Sequence, residues 1–230
     1  KEASGKYFKV VDSDDWLEHD AMDVCYQKAI RGNVDVVLFD ALSFVDGVEK
    51  CSEEIQNDYD RSKLLQSYAN QAKPAKQLFK QMIQTGAMRA SACLNFIRRD
   101  LLVKNGLNFE EGLIHEDELF TPQLYALANT MMYIPRIFFH RRVRPGSIMT
   151  SVKIEKTLES LCHIISELCA FAISHFGVRW VIYLRCYELA VHANNLKKDY
   201  IKQQLPLCWK RVSRCYKWFN YCRKIKKHLL

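Results

Sequence analysis

Gly5-Lys6-Tyr7-Phe8-Lys9-Val10-Val11-Asp12-Ser13-Asp14-Asp15-Trp16-Leu17 is the stretch whose reading decides the fold. Tyr7 to Val11 is rich in β-branched and aromatic side chains and stops at four polar residues, which predicts a strand running into an acidic turn. In extended or turning backbone, Asp12 and Asp14 project to one side and Ser13 to the other. Adjacent carboxylates repel, and their pKa values rise unless a positive group compensates. A hard divalent cation with oxygen ligands is a natural partner, Mg²⁺ or Mn²⁺ commonly taking one or two carboxylates plus substrate phosphates. Helix capping by first-turn acids is the competing explanation, and spacing alone favours it.

Outward from this run, Asp20 to Ile30 has helical spacing of apolar residues and is closed by Gly32-Asn33. Val34 to Phe39 is apolar throughout except for Asp35, the pattern of a strand covered on both faces. Strand, helix and strand in so short a span predict an α/β architecture. Residues 46 to 60 are acidic and turn-rich, an exposed excursion. Arg61 to Thr85 reads as helix broken or kinked at Pro74, and Ala90 to Val103 as a second helical stretch stopped by Asn105-Gly106. Met131 to His140 returns to strand character, with Pro135 placing part of it at an edge or bend. Lys153 to Ala193 predicts one or two long helices, and Leu205 to the end another. The expected boundary lies near Ser151, dividing residues 1–151, an α/β body, from the helical residues 152–230.

The 230 residues are 49% hydrophobic and 26% charged, with 8 Gly and 5 Pro, which excludes a disordered or low-complexity chain. The net charge of +8 belongs to the tail: from Lys197 onward there are 11 Lys or Arg against Asp199 alone. The remainder is nearly neutral, so a general nucleic-acid-binding role loses most of its support. Nine cysteines form an odd set with no C-x-x-C pair, a poor disulfide framework and a poor zinc site that suits a reducing cytoplasm. No uncharged apolar run reads as long enough to span a bilayer, and the chain reads as soluble.

Two further clusters carry chemistry. In Gly112-Leu113-Ile114-His115-Glu116-Asp117-Glu118-Leu119-Phe120, a histidine and three acids open a helical run. A carboxylate crowded by others in a partly dry cleft acquires the raised pKa that a general base needs, while helix capping explains part of the same pattern. In Arg141-Arg142-Val143-Arg144-Pro145-Gly146-Ser147, arginines beside a Gly-Ser turn suit phosphate oxygens, with a solvated basic loop as the ordinary alternative.

Taken together and in order, the runs GKYFKVVDSDDWL, GLIHEDELFTPQL and FFHRRVRPGSIMTS resemble the DXD segment, the catalytic-base segment and the following loop of family-two inverting glycosyltransferases, over roughly residues 1 to 152. The resemblance implies an α/β fold, a partial GT-A nucleotide-diphospho-sugar transferase sandwich with a helical C-terminal part. It implies that Asp14 holds Mn²⁺ or Mg²⁺ on the diphosphate and that Asp117 is the base that deprotonates the acceptor hydroxyl. Asp12, Asp15, Arg142 and Arg144 would serve donor binding. Trp16, His115 and Glu116 would shape the acceptor side, while His140, standing where an aromatic is more usual, receives no role. The implied donor is a nucleotide sugar, a UDP-sugar by expectation, and the implied acceptor a saccharide or lipid-linked sugar in cell-surface polysaccharide or glycolipid assembly.

Relatives open with a VSVIIPVYN-like strand and a later DDGS-type segment, and neither occurs here. About ninety residues of an ordinary nucleotide-binding half would precede Lys1. Without them the sheet is expected to expose an edge and to bind nucleotide poorly, and a non-catalytic interaction module is the alternative function. In the tail, Cys208, Val212, Cys215, Phe219 and Cys222 share one helical face, with basic residues mostly elsewhere. That pattern suits either an anionic membrane surface, on the cytoplasmic side, or a packed helix with a solvated basic face.

Overall fold

The computed structural model describes residues 3–45, 59–143 and 154–228, the last eight of these as backbone only. It divides into two compact units: residues 1–108 with 120–151, and residues 109–119 with 152–230.

The first unit is built on a six-stranded sheet. Its strands are β1 (Tyr7–Lys9), β2 (Trp16–Leu17), β3 (Val36–Val45), β4 (Ala72–Pro74), β5 (Asn95–Arg98) and β6 (Thr130–Val143). They lie in the order β1-β5-β3-β6-β2, with β4 pairing β6 beside that path. β3 and β6 run parallel, and the other pairings are antiparallel. The helices are α1 (Ala21–Arg31), α2 (Ala75–Thr85), α3 (Arg99–Asn105) and most of α4 (Asp117–Leu127), whose first three residues count with the second unit.

The apolar run in β3 explains the sheet's centre. Val37, Phe39 and Ala41 face Ala21, Cys25 and Ala29 of α1, together with Phe96, Ile134 and Phe139. Val36 and Leu38, alternating with them, are buried too, as the pleat requires of a strand covered on both sides. Asp35, the one acid in the run, is paired with Arg98 at 2.9 Å and accepts the Asn129 amide at 2.8 Å, so its charge is compensated at the strand's start.

Several expectations change here. Pro135 lies inside a long strand, not at an edge, and sits at a bend, the other placement expected for it. Phe39 pairs with Ile134 and Asp40 with Ile137, so the partner strand bulges at 135–136 and the missing amide costs no ladder bond. Arg61 to Thr85 is not one broken helix. Apart from a single 3₁₀ turn at Gln66–Tyr68, only Ala75–Thr85 is helical, because Ala72–Pro74 pairs with Met132–Thr130 and Asn70 donates its amide to the Tyr133 carbonyl. Likewise Asn95–Arg98 is a strand inserted between β1 and β3, where the sequence predicts helix. Residues 46–58 of the acidic excursion and the GSIMTS run lie outside the described residues.

The second unit holds α5 (Ile154–Ser174), α6 (Arg179–Leu196), α7 (Tyr200–Gln204) and α8 (Pro206–His228). By length and composition α5 is apolar enough to cross a membrane, contrary to the sequence reading, but half of that window is buried within the protein. Leu158, Leu161, Ile164, Ile165 and Leu168 make it a core helix of this unit. α8 packs on α6 through aromatic stacks: Tyr187 with Trp209 and Tyr216, and Trp180 with Phe219. Val212 is sealed, while Lys210, Arg211, Arg214 and Lys217 face solvent. Residues 109–119 join this unit because Ile114 donates its amide to Ser160 Oγ and Glu110 meets His163 at 2.7 Å.

Candidate functional site

The acidic run does not cap a helix. It is a turn between β1 and β2, closed by the Asp15 amide donating to the Asp12 carbonyl at 3.2 Å, whereas α1 starts later, at Ala21. Asp12 is exposed; Asp14 and Asp15 are half-buried. Asp15 reaches across to β6 and accepts the Arg142 amide at 2.8 Å, which ties the turn to the arginine-bearing strand. Burial pushes the Asp15 carboxyl above the usual range, Asp12 and Asp14 add to the push, and the Arg142 amide and Arg141 oppose it.

This acidity has a consequence for stability. A raised folded-state value means that the fold holds the proton more tightly than the unfolded chain does, so ionisation costs stability at neutral pH. The cost fades as pH falls below the ordinary aspartate range. Asp15→Asn should therefore melt roughly 1–2 °C higher than the parent at pH 7, a small gain because the group is partly solvated, and equally at about pH 3. Calorimetric melting at the two pH values checks this, and a lower melting point at pH 7 would contradict it.

Beside the turn, the Trp16 indole is 47% exposed and stacks on the His140 ring, 5.0 Å away and 9° from parallel, with the Phe44 ring at 4.4 Å. His140 Nε2 lies 2.6 Å from Glu18 Oε1, and the Arg142 guanidinium sits over Phe44 at 5.9 Å. Asp15, Trp16, His140 and Arg142 thus form one cluster, including the histidine that sequence reading set aside. A flat, half-exposed indole next to carboxylates and an arginine is the kind of surface on which a sugar or base ring stacks. Arg144 lies outside the described residues.

Lys9 is a member that the sequence did not single out. Its amine is largely buried over the Phe39 and Phe139 rings, 4.8 Å from each, and donates to the Cys93 carbonyl. Burial lowers it to about 8, while Asp12 and Asp15 act in the opposite sense. The signal was available: a lysine inside an otherwise apolar strand ending at carboxylates.

The histidine-acid cluster belongs to the second unit. His115 adopts a left-handed backbone with φ 64, uncommon for a residue with a side chain, and its carbonyl accepts the Glu118 amide at 2.9 Å. Burial lowers the His115 ring below the usual histidine range; Glu118 and Glu116 oppose that and His192 adds to it, so the neutral imidazole is favoured. Glu118 is held by Arg185 at 2.5 Å, and Arg185 also binds Glu188 at 2.8 Å. Asp117 is the half-buried first residue of α4. Among the described residues, no three His, Cys, Asp or Glu side chains gather into a metal-binding group. The turn supplies only oxygen donors, which fits Mg²⁺ or Mn²⁺ completed by phosphate oxygens and not a cage made by protein alone.

No protein-family profile matches the chain. It is 25% identical over 166 residues to Glycosyltransferase GlyA of Streptococcus pneumoniae, covering 71% of this chain and 23% of that protein. It is 24% identical over 162 residues to the Cholesterol galactosyltransferase of Borreliella burgdorferi, covering 66% and 42%. The chain therefore spans less than half the length of these two relatives. In three dimensions it resembles S. aureus TarS 1–349 solved with UDP-GlcNAc, at TM-score 0.60 and 19% identity over 93% of this chain and 58% of that one. TarS solved with UDP superposes at TM-score 0.59. The chain accordingly shares the fold of the matched part of TarS 1–349.

Proposed function

We propose that this chain forms part of a glycosyltransferase that moves a sugar from a nucleotide-diphosphate donor, a UDP-sugar, to a saccharide or lipid-linked acceptor with inversion. The observation that carries the reading is the likeness over 93% of the chain to a fold solved with UDP-GlcNAc, joined to an acidic turn at the end of β1.

Asp14 would hold Mg²⁺ or Mn²⁺, which when bound supplies the positive charge that neutralises the departing diphosphate. Asp12 and Asp15 position the donor, and Asp15 anchors Arg142, whose guanidinium is suited to phosphate oxygens. The half-exposed Trp16 offers a stacking face to a sugar ring. Asp117 takes the proton from the acceptor hydroxyl, so that the oxygen attacks as the bond to diphosphate breaks on the opposite face of the sugar. One base suffices in this scheme, whereas glycosidases employ two carboxyl groups. His115 and Glu116 shape the acceptor side. The solvent-facing Lys210, Arg211, Arg214 and Lys217 of α8, with Trp218 at 64% exposure, support contact with an anionic membrane on its cytoplasmic face.

Titration calorimetry of the chain with UDP and Mn²⁺ tests the donor reading. The expected result is weak heat of binding that falls at least tenfold in Asp14→Ala. Heat unchanged in Asp14→Ala would remove that residue's role, and no heat from either protein would favour a non-catalytic interaction module.

A further inference from the structure

The two-residue strand β2 pairs Trp16 directly with His140 on β6, and the Glu18 amide continues the pairing by donating to the Phe138 carbonyl at 2.8 Å. Side chains two apart along an extended strand point the same way, so Trp16 and Glu18 both flank the His140 ring. The contacts follow from that register: the imidazole lies flat against the indole, and its Nε2 meets Glu18 Oε1 at 2.6 Å. A carboxylate can only accept, so Nε2 is the donor, and the bond fixes which way the ring is turned. Phe44, arriving from β3, closes on the indole at 4.4 Å and 49°.

Packing alone accounts poorly for this support. His140 is 15% exposed, whereas Trp16, the residue that it braces, stays 47% exposed. An indole that fills a core is covered; here neighbouring side chains immobilise a ring that remains open. A ring held in place beforehand gives up less freedom when a ligand lands on it, which is worth roughly 2–10-fold in affinity for each side chain so fixed. The chemistry of the open surface selects the ligand. The C–H face of a pyranose is apolar and weakly positive, and an indole offers it a flat, weakly negative π face. Beside the ring stand the Asp15 carboxyl, anchored on the Arg142 amide, and the Arg142 guanidinium over Phe44, an acceptor and a donor suited to the hydroxyls at the sugar's rim.

We propose that Trp16 is the platform for the pyranose ring of a substrate and that His140 is its positioning residue, with Glu18 fixing the imidazole. This deepens the glycosyltransferase reading by giving one substrate sugar a place, and it rests on that reading only for the identity of the ligand. No bond is made or broken at His140. Loss of the imidazole leaves the indole free to turn, and sugar binding weakens while Asp14 and Asp117 are unaltered.

Trp16 is the one tryptophan of the first unit, since Trp180, Trp209 and Trp218 belong to the second. The difference in emission between the whole chain and its Trp16→Phe variant therefore isolates this indole. The probes are methyl β-glucopyranoside, methyl β-galactopyranoside and N-acetylglucosamine, each with and without UDP and Mn²⁺, and UDP-glucose and UDP-N-acetylglucosamine against UDP alone. At least one should change the Trp16 emission, the free sugars with Kd on the order of 1–50 mM. A response to a free sugar assigns the acceptor's ring to the platform. A response to a UDP-sugar, but to neither UDP nor a free sugar, assigns the donor's. His140→Ala should weaken the effective probe about tenfold, and His140→Phe, which restores a flat ring, should return it to within about threefold of the parent. Thermal melts run alongside, because a merely structural role would lower the melting point and leave the affinity of the folded protein unchanged. The proposal is overturned by an emission that no probe alters, by His140→Ala binding as tightly as the parent, or by His140→Phe binding no better than His140→Ala. Calorimetric heat with UDP beside a silent Trp16 removes the platform and leaves the donor reading standing; a response to a free sugar without heat from UDP does the reverse.

Discussion

Arg61→Ala should lower the stability of the first unit by about 3–5 kcal/mol, because it strands a buried carboxylate. Arg61 is fully buried and Asp40 is 2% exposed. Arg61 Nε donates to Asp40 Oδ1 at 3.0 Å, a second guanidinium nitrogen donates to the Phe39 carbonyl, and the Tyr133 hydroxyl donates to Asp40 Oδ2. Burial still pushes the Asp40 carboxyl above the usual range, against the pull of Arg61 and Tyr133. Removing the guanidinium takes away the largest opposing influence. The folded-state pKa is then raised further, so the charged form costs most at neutral pH, and the deficit should shrink as pH falls through the acid range. Denaturant unfolding of parent and variant at neutral and acid pH reads both effects. The double variant Arg61→Met with Asp40→Leu should recover most of the loss, since matched apolar side chains often replace a buried pair with little penalty. A loss under about 1 kcal/mol in Arg61→Ala would show that the pair is solvated in solution.

The second large effect concerns catalysis. Under the proposed function, Asp117→Asn should reduce kcat by about 10²–10⁴-fold, the range for a lost general base, with little change in affinity for the donor. Two residues away, Glu118→Gln supplies the contrast. Glu118 is bound to Arg185, itself shared with Glu188, so its change should register first as lost stability of the helical unit. Steady-state transfer assays alongside thermal melts separate the two. Equal turnover in Asp117→Asn and the parent would eliminate Asp117 as the base.

The parts of the fold legible in the sequence are those carried by local pattern. The β-rich run halted by four polar residues located β1 and the acidic turn, and the apolar run from Val34 located β3. What failed was decided at long range. Asn95–Arg98 is too short and too apolar to distinguish from buried helix, and it is a strand because β1 and β3 flank it. Residues 61–74 have helical composition, but pairing with β6 overrides propensity. The Asp40, Arg61 and Tyr133 network joins residues that no spacing rule connects; the one hint was an acid directly after the apolar run, in the middle of what is β3. The placement of 109–119 with the helical unit rests likewise on the Ile114–Ser160 and Glu118–Arg185 contacts. Within the candidate site, Asp12 to Asp15 stood out as a run, whereas the stacking of Trp16 on His140 depends on the β2–β6 register, which pairs these two residues directly.

The parallel pairing of β3 with β6 also bears on how the protein is made. Val36 meets Met131 and Val45 meets Val143, partners nearly a hundred positions apart. At ribosomal speeds of about 5–20 residues per second, β3 waits on the order of 5–20 seconds for that neighbour, with β5 arriving earlier on its other side. During that interval a run of valine, leucine and phenylalanine has one edge open, so the yield of native chain should depend on temperature and on chaperone supply.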